Sequence, residues 1–141
     1  MGIEEARLDV SELDTQDQEL VEAARDVIRK QYREGRHSVG AAVRSASGRI
    51  YTGVNVESCG YGPCAEPIAF GAAISRGDGA IVAIVAVARW RNSLPVIPPC
   101  GNCRQMLVDY VPKAWVILEW EGTLVKARAR DLLPAAYRMF E

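Results

Sequence analysis

The sequence predicts an α/β fold, a mixed sheet covered by helices on both faces. Three observations predict it. Leu20, Ala23, Ala24, Val27, Ile28 and Tyr32 repeat at helical spacing. The run IVAIVAVA (81–88) is continuously apolar and β-branched, as a strand buried on both faces should be. After an initial hairpin, helical and strand-like stretches alternate along the chain, the order that places helices on both sides of a sheet.

Residues 1–14 read as a loose, charged lead-in. Thr15 caps the first helix, Asp17 and Glu19 suit its positive first turn, and Gly35 closes it. SVGAAVRS (38–45) and RIYTGVNVE (49–57) form a β-hairpin around Ala46–Ser47–Gly48. SCGYGP (58–63) is a loop, and AEPIAFGAAISRG (65–77) is a helix ended by Gly77. The strand 81–88 and the loop RWRNSLPVIPP (89–99) follow. CGNCRQMLVDYV (100–111) is a helix stopped before Pro112, because the residue preceding a proline is pushed out of the helical region. AWVILEW (114–120) and TLVKARA (123–129) are strands, and RDLLPAAYRMF (130–140) is a short helical tail. Strands joined by crossover helices should run parallel with right-handed connections.

The 141 residues fit one domain, 1–141. Apolar residues make up 49% and charged residues 25%, a globular balance, and the net charge is −1. With no long basic stripe, a nucleic-acid surface is not the expected partner, although an enzyme acting on a base flipped out of a nucleic acid stays a second reading. No stretch approaches the roughly 20 apolar residues of a membrane span. The acidic start lacks the basic and apolar regions of a secretory signal, which places the protein in the cytoplasm and its four cysteines in the thiol state.

Those cysteines carry the chemistry. Cys100 and Cys103 lie three apart at a helix start, so both thiols face one side. Cys64 opens another helix. Together they supply three corners of a tetrahedron around one Zn²⁺ and leave the fourth open, as a catalytic zinc requires. Three thiolates outweigh the metal's charge by one. Two helix N-termini offset part of that excess, and Arg104 offsets more by bonding a thiolate sulfur. Glu66, in the first turn after Cys64, is placed to move a proton to and from the metal's water. Cys64-Ala65-Glu66 with Pro99-Cys100-Gly101-Asn102-Cys103 is the zinc-deaminase signature, in which zinc-bound hydroxide attacks an amino-bearing ring carbon.

From about Val39 to Tyr137 the sequence resembles the cytidine deaminase family: VGAAV, GRIYTGVNVE, CAE, PCGNCRQML and DLLP look like family segments. The spacing of GVNV to GPCAE, with PCGNCRQ and LLPAAY, is most similar to the blasticidin S deaminase branch. The resemblance implies a three-layer α/β/α fold with a five-stranded mixed sheet. It implies a homotetramer with sites at subunit contacts and a free cytosine-type nucleoside, or an analogue such as blasticidin S, as substrate. It makes Cys64, Cys100 and Cys103 zinc ligands and Glu66 the proton shuttle. Asn55 and Glu57 match positions that hold ribose hydroxyls, His37 stands where an aromatic residue lines the base pocket, and Ala65 belongs to the substrate wall. Pro67 replaces the arginine of the cytidine branch's CAER, leaving the charge balance to Arg104 and the helix ends. Glu57 follows the cytidine branch, where the blasticidin branch carries tyrosine.

Each role has a plainer alternative. Cys59 as fourth ligand would close a structural Cys₄ site without chemistry. His37 is a pocket group or a surface residue, Asn55 and Glu57 a strand end and its turn, and Arg104 a solvated helix residue. Trp90, Trp115 and Trp120 read as core or subunit interface. Tyr61 either reaches a neighbouring pocket or packs locally, and Tyr137 or Phe140 would complete a neighbour's pocket.

Overall fold

Asp14, not Thr15, starts the first helix. In the computed structural model, which describes residues 7–139, the Asp14 carboxylate accepts from Asp17 N at 2.9 Å, and the Asp17 carboxylate accepts from Asp14 N at the same distance. This reciprocal box satisfies two orphan donors, where a Thr15 cap satisfies one. Helix α1 (Thr15–Gln31) ends before Gly35, with Tyr32 in extended backbone as its cap. Gly35, at φ +73°, instead serves the tight turn in which Arg33 and His37 exchange backbone hydrogen bonds.

The sequence folds next into strands β2 (Val39–Ser45) and β3 (Ile50–Val54), then α2 (Ala65–Ser75), β4 (Ile81–Ala88), α3 (Gly101–Tyr110), and strands β6 (Trp115–Trp120) and β7 (Thr123–Arg128). These five strands are the expected sheet. Two two-residue strands add to it: β1 (Val10–Ser11), inside the segment read as loose, pairs β7, and β5 (Val96–Ile97), inside the segment read as loop, pairs β4. The order is β1-β7-β6-β4-β2-β3, with β5 beside β4. Parallel pairing of β4 with β6 covers Ala83 and Ile84, and β5 takes over antiparallel at Ala86 and Val87. The tail is not the helix expected over 130–140. It is a 3₁₀ turn, Ala129–Leu132, after which Leu133, held extended by Pro134, leaves helical backbone.

The sheet sorts its side chains with period two. Ala41, Val43, Ile84, Ala86, Val116 and Leu118 pack with Ala69, Phe70 and Leu107 of α2 and α3. Ala42, Ala83, Val85, Val87 and Ile117 pack with Leu20, Ala24 and Ile28 of α1. The protein is therefore three-layered, one helix on one face and two on the other. Two glycines set the layer spacing. A methyl at Gly40 would lie 2.5 Å from the Ala24 carbonyl oxygen, and one at Gly53 would lie 2.6 Å from Ala69 N. Only a bare backbone lets α1 and α2 approach this closely.

Because β3 and β4 are both antiparallel to β2, they point the same way. Helix α2 leaves the end of β3, and α3 follows β4 through β5. Both helix N-termini thus gather at the carboxyl edge of these strands, the edge where open α/β sheets place ligands.

Candidate active site

Cys64 and Cys100 are the N-cap residues of α2 and α3. Both have extended backbone, and neither side chain caps its helix. The free helical N–H groups are therefore left facing the sulfurs. Cys64 Sγ lies 3.4 Å from Cys100 Sγ, and Cys100 Sγ lies 3.4 Å from Cys103 Sγ. All three sulfurs fall within 4.8 Å of one another. Tetrahedral zinc with Zn–S near 2.3 Å would set sulfurs about 3.8 Å apart; the two 3.4 Å sides fall about 0.4 Å short of that, so the triangle is of a size to hold a single zinc ion. Cys59 is exposed and lies outside the group, leaving three sulfur ligands among the described residues.

The thiols are not equivalent. Burial pushes the Cys103 thiol far up, and the Glu66 carboxylate beside it adds to the shift. Burial also raises Cys64, helped by its hydrogen bond with Cys100. Cys100 is partly buried too, which pushes upward. The N–H groups of Cys103 and Asn102, with the two neighbouring thiols, more than reverse this and hold it below the ordinary thiol value. The α3 N-terminus thus already favours one thiolate, and a bound cation would deprotonate the others.

Glu66 is 4% exposed and borders a small apolar cavity with Ile84, Ala86, Ile97, Pro99 and Val116. Burial raises its pKa, while its own backbone N–H and the Cys103 thiol pull the other way. A buried carboxyl whose proton affinity is raised in this way can both accept and return a proton. Pro67 stands at the third helical position, where no intrahelical partner exists for a backbone N–H, so its missing donor costs little. Ala65, at the first, is fully buried beside the metal group.

Arg104 does not reach a sulfur. Its Nε donates to the Pro99 carbonyl at 2.8 Å, and Nη1 donates to the Leu132 carbonyl at 3.1 Å. It fixes the residue before Cys100 to the Ala129–Leu132 turn, so among the described residues its role is positional. Asn55 is also committed inside the fold. Its Oδ1 accepts from Ser38 N (2.8 Å) and Val39 N (2.9 Å), and its Nδ2 donates to Glu57 Oε1 at 3.0 Å. His37 Nδ1 donates to the Asn55 carbonyl at 2.8 Å, which leaves Nε2 as the acceptor of the neutral ring. The exposed Glu57 carboxylate is thus aimed by Asn55, and Val56 N donates to the Pro63 carbonyl, tying this corner to the start of α2.

Tyr61 is 79% exposed, and Tyr137 is 72% exposed with its carbonyl held by Gln105 Nε2; Phe140 lies outside the described residues. Trp90 and Trp120 are both exposed, whereas Trp115 is half-buried under the Arg128 guanidinium, 3.6 Å from its ring centre. Trp115 is thus a surface stack at the edge of the core. Sequence reading missed Gly40, Gly53 and the Ser38–Val39 amides that hold Asn55. An isolated glycine within each strand was the available signal for the first two.

A three-layer α/β fold with three thiols able to hold a metal ion and a buried glutamate, all at paired helix starts, fits the class of metal-dependent hydrolases. Residues 14–119 match the cytidine and deoxycytidylate deaminase zinc-binding region, and the chain belongs to that family. It is 40% identical over 129 residues to the blasticidin-S deaminase of Bacillus cereus, covering 86% of this chain and 92% of that protein. It is 34% identical over 106 residues to the cytidine deaminase of Halalkalibacterium halodurans, covering 72% and 78%. The crystal structure of cytidine deaminase from Burkholderia pseudomallei superposes with a TM-score of 0.71 at 34% identity, over 85% of this chain and 98% of that one. Among the described residues no helix is long and apolar enough to cross a membrane.

Proposed function

We propose that the protein catalyses hydrolytic deamination of a free cytosine-type nucleoside, such as cytidine, deoxycytidine or the analogue blasticidin S, and releases ammonia. The observation that carries this reading is the convergence of Cys64, Cys100 and Cys103 at two helix starts, with buried Glu66 one residue from Cys64. The three thiolates would hold zinc, which when bound supplies an electrophilic centre that lowers the pKa of a water toward neutrality. Glu66 takes the proton of the attacking water, delivers it to the ring nitrogen, and passes a further proton to the departing amino group. Its dry cavity keeps these transfers from bulk solvent. Ala65 forms the wall beside it. Glu57, aimed by Asn55, accepts from a sugar hydroxyl, and His37, bonded to the Asn55 carbonyl, lines the same corner.

Arg104 holds the Pro99–Cys100 entry to α3, and the helix ends carry the charge balance that Pro67 leaves unfilled. Residues 1–141 act as one domain. We place the enzyme in the cytoplasm, where thiols stay reduced, as a homotetramer. Half-exposed Ile68 and Ile74 on α2 support that assembly. The test is incubation of the zinc-loaded protein with cytidine, deoxycytidine and blasticidin S while ammonia is measured. Release from one or more is expected, and no release from any, nor from a wider panel of aminated bases, would refute the reading. Light scattering checks the assembly: a mass other than four times the 15.4 kDa subunit refutes the tetramer.

A further inference from the structure

Asn55 lies one residue past the end of β3, buried, with both its oxygens committed inside the protein. Its Oδ1 accepts from Ser38 N and Val39 N, and its main-chain carbonyl accepts from His37 Nδ1 at 2.8 Å. Beyond it, Val56 N donates to the Pro63 carbonyl at 3.1 Å and Glu57 N to the Arg36 carbonyl at 3.2 Å. The Asn55 carbonyl, Val56 N and Glu57 N are thus successive anchors of one short segment, and only the first depends on a side chain, that of His37. The half-buried ring is itself fixed, because His37 N and its carbonyl both pair with Arg33, at 2.9 and 3.0 Å. At the end of the segment Asn55 Nδ2 holds Glu57 Oε1, and Glu57 Oε2 on this exposed residue takes no donor among the described residues.

Building on the proposed deaminase function, we propose that His37 is a positioning residue for the substrate's sugar: through the Asn55 carbonyl it fixes the Glu57 carboxylate, which presents Oε2 to a hydroxyl. An apolar aromatic ring at position 37 would fill the space but leave the carbonyl without this donor, and a buried carbonyl past the end of its strand needs one. Without the bond the Asn55–Val56 peptide is free to rotate, and Glu57 loses the fixed direction that lowers the ordering needed on binding. Closing the 33–37 turn does not explain the contact, because the backbone pair of Arg33 and His37 already closes it. The bond also lies on the sugar corner and not among the thiols, so its loss should separate binding from turnover.

The experiment uses the zinc-loaded protein and reads, by calorimetry, affinity for uridine, which has the sugar but no amino group, against 2′,3′-dideoxyuridine. It also reads kcat and KM for cytidine by ammonia release. Wild type is expected to prefer uridine by at least about tenfold, because a site built to bond a hydroxyl rejects the analogue lacking it. His37→Phe should cut that preference by about three- to tenfold, the range of one hydrogen bond. KM for cytidine should rise by a similar factor while kcat stays within about twofold. His37→Ala should give the same loss of preference, and His37→Asn, whose Nδ2 can stand where Nδ1 stood, should restore part of it. A merely structural role would weaken uridine and dideoxyuridine alike, so a ratio that His37→Phe and His37→Ala leave in place overturns the proposal. So does a wild-type protein that binds the two equally or binds neither. If no ammonia is released while the uridine ratio behaves as expected, the proposed reaction fails and the positioning role stands.

Discussion

Gly53→Ala tests whether the spacing between β3 and α2 sets the active site. The added methyl would stand 2.6 Å from Ala69 N, 2.9 Å from Ile68 Cγ2 and 3.0 Å from the Ile68 carbonyl carbon. Two of these are backbone atoms of α2, so a rotamer change cannot relieve them. Reaching an ordinary contact near 3.4 Å requires α2 to move by about 0.8 Å, and α2 carries Cys64 and Glu66. Overpacking costs about 1–3 kcal/mol, offset by about 0.5–1 kcal/mol from the stiffer unfolded chain. The net loss of about 1–2 kcal/mol lowers Tm by roughly 3–8 °C in a chain of this size. A displacement approaching 1 Å at a reacting group costs up to about 10²-fold, so kcat/KM should fall by a factor of roughly 30–100. Zinc should also be lost faster to a chelator, because the 3.4 Å separation of Cys64 and Cys100 changes with the helix. Gly40→Ala is the comparison. It presses on Ala24 of α1, so it should lower Tm similarly while zinc content stays full. Differential scanning calorimetry, metal analysis and steady-state kinetics read the three quantities. A Gly53→Ala protein with unchanged chelator kinetics and kcat/KM within twofold of wild type would show that β3, at the sheet edge, yields instead, and would refute the reasoning.

Glu66→Gln should keep its zinc and lose at least about 10²–10⁴-fold in kcat, because a buried amide fills the same space without moving protons; an active variant removes Glu66 from the proton path. Cys59→Ser should leave zinc stoichiometry and turnover unchanged, and a metal-free product would instead establish a closed four-sulfur site. Arg104→Ala should weaken zinc retention by freeing Pro99 and Leu132 together, read as faster loss to a chelator, and unchanged loss makes Arg104 a bystander. Hydroxyl donors from Ser45, Ser47 and Tyr51 hold the Asp78 carboxyl below the usual carboxylate range. Its folded-state pKa is depressed, so its contribution to stability is present above the unfolded value of about 4 and is lost as pH falls through the folded one. The Tm gap between wild type and Asp78→Asn should therefore narrow from pH 6 to pH 3, and a constant gap would refute the linkage.

The parts of this protein legible in its sequence are those fixed within a few residues. The hairpin around Ala46–Ser47–Gly48, the apolar run 81–88, and the CAE and PCGNC spacings all reflect contacts within a short stretch of chain, and the structure reproduces them. What escaped depends on partners far along the chain. Val10–Ser11 is a strand only because Lys126 and Ala127 stand opposite, and Val96–Ile97 only because β6 leaves Ala86 and Val87 unpaired. Arg104 was aimed at a sulfur by adjacency, yet its second bond goes to Leu132, 28 residues on, and that contact defines its role. Asn55 reads as a ligand group in the sequence, but Ser38 and Val39 occupy its oxygen from 17 and 16 residues away, and its amide donates to Glu57. The same division separates reaction from substrate. The thiol group and the proposed proton carrier come from two helix starts that the topology must bring to one sheet edge, because β3 and β4 run the same way and each is followed by a helix. The proposed substrate corner is assembled from the turns at 33–37 and 55–57, whose relation exists only after β2 and β3 have paired. Swapping residues on those turns can therefore change what is bound while leaving the thiols and Glu66 untouched, and this accounts for a single signature serving relatives named for different substrates.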